Sequence, residues 1–475
     1  MNEIEKKYSA IDASCRLPLL VLFGVASLWL VIGLALEIIA SLAFHKPDLF
    51  AGCPFLTYGR VLPAANNAIL YGFAMPAALG VVLWIFARLS ESELLLPLVP
   101  IVAANIWFLA VLIGVVGILI GDSTGFTWLE FPRSGSILLF AAFLLIAISA
   151  MATFGARRER VLKPPHWFLL AALFWFPWIY SSANLFLIAW PVRGVAQAVI
   201  GWWYSNNLIY VWLALVGLGV AFYLLPKIAG RPLQSQYFAL FGFWTFVLFA
   251  PWCGIPQGAP VPSWLPTAST VAAFLMAVPL IAIAIVFVNT IRGVNIECKG
   301  GPYCYAKFAM AIFILNEAVM LIATGCPHCN AVVGMTWFMP EQVYLQIFGF
   351  FAIVICGAAY ESLPGVMGFE LPFRSFVRFQ HWCFIVGSVL VALLLAICGI
   401  EQGLKMQNPE IHWHDITAGT LNYLKFSTLG LCLLLLGSLM FAANIFAATS
   451  TWLTRQAKAV AASLTESFEA EEVKS

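Results

Sequence analysis

Two cysteines three positions apart, in Cys326-Pro327-His328-Cys329, put two thiols and an imidazole within one turn of chain. Such a set can close a disulfide, exchange one with another molecule, or hold a soft metal ion. Nearer the C-terminus, His412-Trp413-His414-Asp415 offers alternate imidazoles that can chelate, although a solvated loop is the simpler expectation for it. Two carboxylates, Glu37 and Glu317, fall inside long apolar runs. An acid in hydrocarbon is costly, so each is a candidate proton relay or polar anchor. Glu37 lies toward one end of its run, and the plainer expectation there is contact with interfacial water. Histidine is scarce, with six in 475 residues.

These residues belong to a chain that is 62% hydrophobic and 10% charged, which excludes a soluble globular protein. Apolar stretches of about 20 residues recur, each long enough to cross a bilayer as a helix. Twelve are read, at roughly 16–43, 61–88, 93–120, 134–155, 166–190, 201–225, 235–253, 268–291, 303–325, 341–362, 377–400 and 420–448. In lipid only helices or closed barrels satisfy the backbone, and runs of this length are helical. The expected fold is an all-α integral membrane protein of about twelve transmembrane helices. It forms one domain over 15–450, with a polar arm at 1–14 and a tail at 451–475.

The net charge of +2 decides little, but its distribution sets an orientation. Lys6 and Lys7, Arg157 to Lys163, Lys227 with Arg231, Arg292 with Lys299, Arg374 with Arg378, and Arg455 with Lys458 occupy alternate connections and both termini. The positive-inside rule then places both ends in the cytoplasm and the chain in the inner membrane, crossing it many times. The connections 121–132, 254–266, 325–340 and 401–421 face outward on this reading. The first apolar run is too long and continuous to read as a cleaved signal. The lipid bilayer is the first partner, and nothing points to nucleic acid. Cysteines 356, 383, 398 and 432 lie within spans, where a thiol serves as a small hydrophobe.

Trp202-Trp203-Tyr204-Ser205-Asn206-Asn207, followed by an apolar helix and Pro226-Lys227-Ile228-Ala229-Gly230-Arg231-Pro232, resembles the sixth transmembrane helix of subunit I of cbb3-type cytochrome c oxidases, in the heme-copper oxidase superfamily. The resemblance runs from about Leu56 to Gly403. It implies the subunit I helix arrangement, and it also locates the family's metal ligands. Asn206 stands where a histidine binds the active-site copper. Within Arg60-Val61-Leu62-Pro63-Ala64-Ala65-Asn66-Asn67-Ala68, Ala65 takes the place of a histidine that ligates the low-spin heme. The family's two adjacent copper histidines fall at Pro256 and Gln257, in a stretch with no histidine. Its two heme histidines on the tenth helix fall at Gln342 and Tyr344, and the tyrosine of its active site at Ala311. Trp128-Leu129-Glu130-Phe131-Pro132 resembles an element whose acid helps hold calcium; one carboxylate is far short of the six or more oxygens that calcium takes, so no metal is expected. Asn316-Glu317 matches an F-E-G-P element, and Gln380-His381-Trp382 and Gly399-Ile400-Glu401-Gln402-Gly403 match other family landmarks. Cys326-Pro327-His328-Cys329 resembles the active site of thiol oxidases of the thioredoxin class, which sits in a βαβ context that these runs do not offer.

Loss of every imidazole together implies a degenerate homologue, with no heme or copper expected in this chain and no catalytic residues. The expected function is a pseudo-oxidase serving as membrane-embedded scaffold or anchor of a respiratory electron-transfer complex, with heme carried by partner subunits such as c-type cytochromes. Two alternatives remain open. One is a redox enzyme, or a quinone- or heme-binding subunit, with remodelled ligands at Tyr344, Gln342 or Glu317. The other is a thiol- or copper-handling membrane protein centred on Cys326 and Cys329. Aromatic side chains, with Phe at 39 residues, are expected to fill the former cofactor space.

Overall fold

The computed structural model describes residues 3–294 and 301–472; Lys299 and the end of the tail, 473–475, lie outside the described residues. Thirteen helices follow in order: α1 (Glu3–His45), α2 (Tyr58–Ser90), α3 (Leu98–Ile120), α4 (Arg133–Gly155), α5 (Pro164–Ala189), α6 (Val195–Ala229), α7 (Gln236–Phe249), α8 (Trp264–Ile291), α9 (Pro302–Gly325), α10 (Pro327–Val333), α11 (Phe338–Met367), α12 (Arg374–Met406) and α13 (Trp413–Glu472). Eleven of them are long and apolar enough to cross a membrane. The all-α membrane fold is therefore as expected, and the difference from twelve rests on the run at 235–253. There α7 has 14 residues and continues only as a tight turn, Ala250–Trp252. At about 1.5 Å per α-helical residue and about 2 Å per 3₁₀ residue, this element rises about 27 Å, just under the roughly 30 Å hydrocarbon layer.

Residues 3–14 belong to α1. From Glu3 onward they are the opening turns of α1, because their polar side chains find partners on α2. Asp12 accepts from the Arg88 guanidinium at 2.8 and 2.5 Å and from Trp84 Nε1 at 3.0 Å, and Lys7 pairs with Glu91 at 2.5 Å. The far end of the chain meets the same side: Arg16 lies 6.0 Å from the Trp452 ring, and Arg455 sits over Phe369 at 4.3 Å. Both ends of the described chain therefore emerge on one side of the bundle.

The Pro226–Pro232 motif acts on that side. Lys227 pairs with Glu361 of α11 at 2.7 Å, and Arg231 caps the end of α8 by donating to the Thr290 and Arg292 carbonyls at 2.7 and 2.6 Å. These contacts hold the C-terminal end of α6 to its neighbours.

The most buried spans are α2, α6 and α11, which run through the centre of the bundle. Each contains a π-helical turn, at Ala68–Ala74, Asn207–Trp212 and Leu345–Phe351. These widened turns begin directly after Asn206 and Tyr344 and three residues after Ala65. Inserted turns of this kind redirect side chains within a helix and cluster at functional sites.

Candidate functional site

On the side of the bundle opposite the termini, α1, α2, α6, α8, α9, α11, α12 and α13 line an open cavity of about 1050 Å³. That is at the upper end of the roughly 300–1,000 Å³ range of small-molecule and cofactor sites. The expectation that aromatics fill this space is corrected in part. Rings do pack the adjoining core, with Phe313 and Phe350 4.6 Å apart and Trp212 facing Phe351 at 6.4 Å, but the space beyond Tyr344 and Asn206 is open.

Four of the six suspected ligand positions reach this cavity. Asn206, Pro256 and Gln257 form one wall, and Tyr344 lies on another. Their polar atoms are already engaged. Asn206 is 7% exposed and donates through Nδ2 to the Ala250 carbonyl at 3.0 Å, while Asn207 donates to Pro251 O at 3.2 Å. The Asn-Asn pair thus pins the end of α7 to α6. Gly254 makes the contact possible: its φ is +94°, and a Cβ there would stand 2.6 Å from Asn206 Cβ. Gln257 Nε2 donates to Thr270 Oγ1 at 2.9 Å and to Thr324 O at 3.3 Å.

Ala65 and Gln342 lie away from the cavity. Ala65 is wholly buried in α2. Gln342, 1% exposed, donates to its neighbour Glu341, a second buried acid on α11. Glu317 is also outside the cavity lining, and its Oε1 has no hydrogen-bond partner.

Glu37 departs from the interfacial-water expectation. It is 3% exposed, lines the cavity, and accepts a hydrogen bond from the Tyr344 hydroxyl, while its Oε2 has no partner. The bundle thus brings together two residues 307 positions apart, one of them a suspected ligand position. Sequence reading flagged each but had no signal for the pairing.

A second polar cluster, unforeseen as a unit, lies beneath the 121–132 connection. The Tyr71 hydroxyl meets the Tyr204 hydroxyl and the Trp128 carbonyl, each at 2.5 Å, and Asn67 donates to Glu130 Oε2 at 2.7 Å. Burial raises the Glu130 carboxyl to about 7 against the pull of the Asn67 and backbone hydrogen bonds. Glu130 therefore serves this network rather than standing as a lone oxygen ligand. Among the described residues no three His, Cys, Asp or Glu side chains group so as to hold a metal ion.

The segment 330–340 closes the cavity on the side away from the termini, with Asn330, Val332, Thr336 and Trp337 in its lining. The Gly399–Gly403 landmark proves to be its seat. A Cβ at Gly403 would stand 1.9 Å from the Val332 carbonyl oxygen, and Gln402 Oε1 accepts from Trp337 N at 3.1 Å. Just before this segment, Cys326 and Cys329 share the first turn of α10. His381 is buried against Tyr305, their ring centroids 4.5 Å apart.

The family model for cytochrome c and quinol oxidase polypeptide I matches residues 18–433. The chain is 24% identical to the cbb3-type cytochrome c oxidase subunit CcoN1 of Stutzerimonas stutzeri, over 90% of this chain and 92% of that one. It is 22% identical to a cytochrome c oxidase subunit 1 homolog of Agrobacterium tumefaciens, over 88% of this chain and 80% of the relative. A solved heme-copper terminal oxidase dimer shares the fold, with a TM-score of 0.75 at 14% identity, covering 91% of this chain and 84% of that one. With the model spanning most of its length and the helical arrangement shared, this chain belongs to the cytochrome c and quinol oxidase polypeptide I family.

Proposed function

We propose that this chain is a subunit I homologue without oxygen-reducing chemistry of its own, acting as the membrane-embedded core of a respiratory electron-transfer complex whose partner subunits carry the heme. The observation that carries this reading is the state of the six ligand positions. Heme iron in this kind of site needs imidazole donors, and Ala65 offers only a buried methyl group. Gln342 donates through Nε2 to Glu341 and has only an amide oxygen left to offer, and the Tyr344 hydroxyl is held by Glu37. Copper of this class takes imidazole, whereas Asn206 and Gln257 use their amide groups to tie α6 and the 253–258 connection to neighbouring backbone and hydroxyl groups. The side chains that replace the ligands have become structural, and neither metal group fits them. What the family motifs retain, at Lys227, Arg231, Gln402 and Gly403, holds helices and connections together.

The proposed setting is the inner membrane, with both termini cytoplasmic and c-type cytochromes docked on the opposite face. Oxygen uptake by the purified chain, supplied with a reduced c-type cytochrome, tests the proposal. No uptake above the donor's own autoxidation is expected. Uptake that tracks the chain and is lost in Tyr344→Phe would contradict it.

A second reading is favoured by the cavity itself. A space of about 1050 Å³, with the free Oε2 of Glu37 in its wall and aromatic rings around it, has the character of a site for an amphiphile such as a quinone. Under this reading the scaffold also binds a lipid-soluble ligand in the remodelled space. Co-purification of quinone at about one per chain, reduced by Glu37→Leu, would support it.

A further inference from the structure

Ten cysteines lie among the described residues. Cys15, Cys304, Cys356, Cys383 and Cys398 are buried in the bundle, whereas Cys326 and Cys329 share one partly exposed turn. Cys326 immediately precedes α10, Pro327 opens that helix, and Cys329 sits one turn on. The backbone N–H of Cys329 donates to Cys326 Sγ at 3.4 Å. That bond turns the Cys326 side chain back over the turn that carries Cys329, and it sets the two thiols apart. Cys326 Sγ accepts a hydrogen bond, the arrangement that favours a thiolate, and the backbone N–H of Cys329 supplies it.

A static staple is a poor reason for such a pair. A bridge across so short a loop constrains the unfolded chain least, and α10 is already fixed by Asn330 N donating to Cys326 O at 2.9 Å and by the seat at Gly403. No strand is present among the described residues, so a thioredoxin fold is not the source of any activity. The local turn alone must carry it.

We propose that Cys326 and Cys329 form a redox-active dithiol that exchanges with disulfide-bearing molecules on the side of the membrane opposite the termini, Cys326 attacking and Cys329 resolving. In the forward step the Cys326 thiolate attacks one sulfur of a disulfide RSSR, forming a mixed disulfide and expelling RS⁻, which takes up the proton lost from Cys326. The Cys329 thiolate then attacks Cys326 Sγ, closing the internal disulfide and expelling the second RS⁻, which takes up the proton of Cys329. The balance is one dithiol plus RSSR giving one internal disulfide plus two RSH. The disulfide pushes two electrons' worth of oxidation onto the pair, and a thiol donor reverses it. The backbone N–H on Cys326 Sγ favours that sulfur as the attacking thiolate, and hydrogen bonding between the pair lowers the Cys326 thiol from its ordinary value and raises that of Cys329. Asn330, the residue after Cys329, lines the cavity, so the exchange site adjoins the wall of the proposed ligand space.

The test uses the full chain in detergent, equilibrated in mixtures of oxidised and reduced glutathione, quenched with acid, alkylated and mapped by mass spectrometry. The expected result is an internal Cys326–Cys329 bridge with one midpoint across the series. Cys329→Ser should accumulate glutathione on Cys326, and Cys326→Ser should react at least tenfold more slowly. The buried Cys356 remains unalkylated in folded protein and reports the fold of each variant; a serine variant that exposes it is replaced by alanine at the same position. Absence of the bridge at every ratio in folded protein, or equal adduct formation on Cys329 in Cys326→Ser, would overturn the proposal.

Discussion

Glu130→Gln should remove a pH dependence of stability that the wild-type chain shows between about pH 4.5 and 7. The Glu130 side chain is 8% exposed beneath the 121–132 connection, and burial raises its carboxyl from 4.5 to about 7. The fold thus favours the protonated form, while the unfolded chain ionises near 4.5. In this window the native state holds a proton that the unfolded state has released, so stability falls as pH rises. The contribution is fully present below about 4.5 and lost by about 7. At about 1.36 kcal/mol per pH unit the loss is roughly 3 kcal/mol, on an order-of-magnitude scale. Glutamine keeps the size and an acceptor for Asn67 Nδ2, so the 2.7 Å hydrogen bond survives while the titration is removed. The assay is thermal unfolding in detergent across pH 4.5–8 for both proteins. The difference between them should grow with pH in favour of Glu130→Gln and level off above about 7. Parallel pH profiles would refute the assignment, as would a wild type that gains stability over the glutamine variant with rising pH.

Other perturbations give separate outcomes. A double-mutant cycle of Tyr344→Phe with Glu37→Gln should return a coupling of about 1–3 kcal/mol in unfolding free energy, the range for a hydrogen bond to a buried carboxyl; coupling near zero would mean the pair is not formed. Asp12→Ala strands the Arg88 guanidinium and should destabilise the chain by about 3–5 kcal/mol, read by chemical unfolding, whereas a loss below about 1 kcal/mol would mean the first turns of α1 are not docked. Gly403→Ala forces a methyl group onto the Val332 carbonyl and should lower stability by about 1–3 kcal/mol while speeding proteolysis of the 326–337 segment; a neutral result would contradict the seat.

The helical membrane fold was legible because apolar run length is a strong signal and lipid leaves the backbone few options. Boundaries failed where polar residues found partners that the sequence does not announce. Lys7, Asp12 and Ser14 looked like a free arm because their partners, Glu91, Arg88 and Leu94 N, lie about 80 residues away. Run 235–253 reads as one apolar span, whereas in the structure its α-helix ends at Phe249 and a tight turn at Ala250–Trp252, held by the Asn207 contact to Pro251, completes it. Asn206, Gln257 and Tyr344 were flagged by the motif frame, and three of the expected elements converge on one cavity. What the frame could not give was their occupation. A motif frame says only where a histidine is expected, whereas the structure shows which carbonyl, hydroxyl or carboxylate the side chain at that place holds. The cavity itself was hidden because open space is the sum of many rotamers, and the π-helical turns after Ala65, Asn206 and Tyr344 leave no compositional trace.

The most direct test of the central claim is a dithionite-reduced minus oxidised optical spectrum, with metal analysis, of the chain purified without its partners. The account predicts no b-type heme band and neither iron nor copper in stoichiometric amount. A heme band intrinsic to this chain, abolished by Tyr344→Phe, would contradict it and make this a redox enzyme with a remodelled ligand.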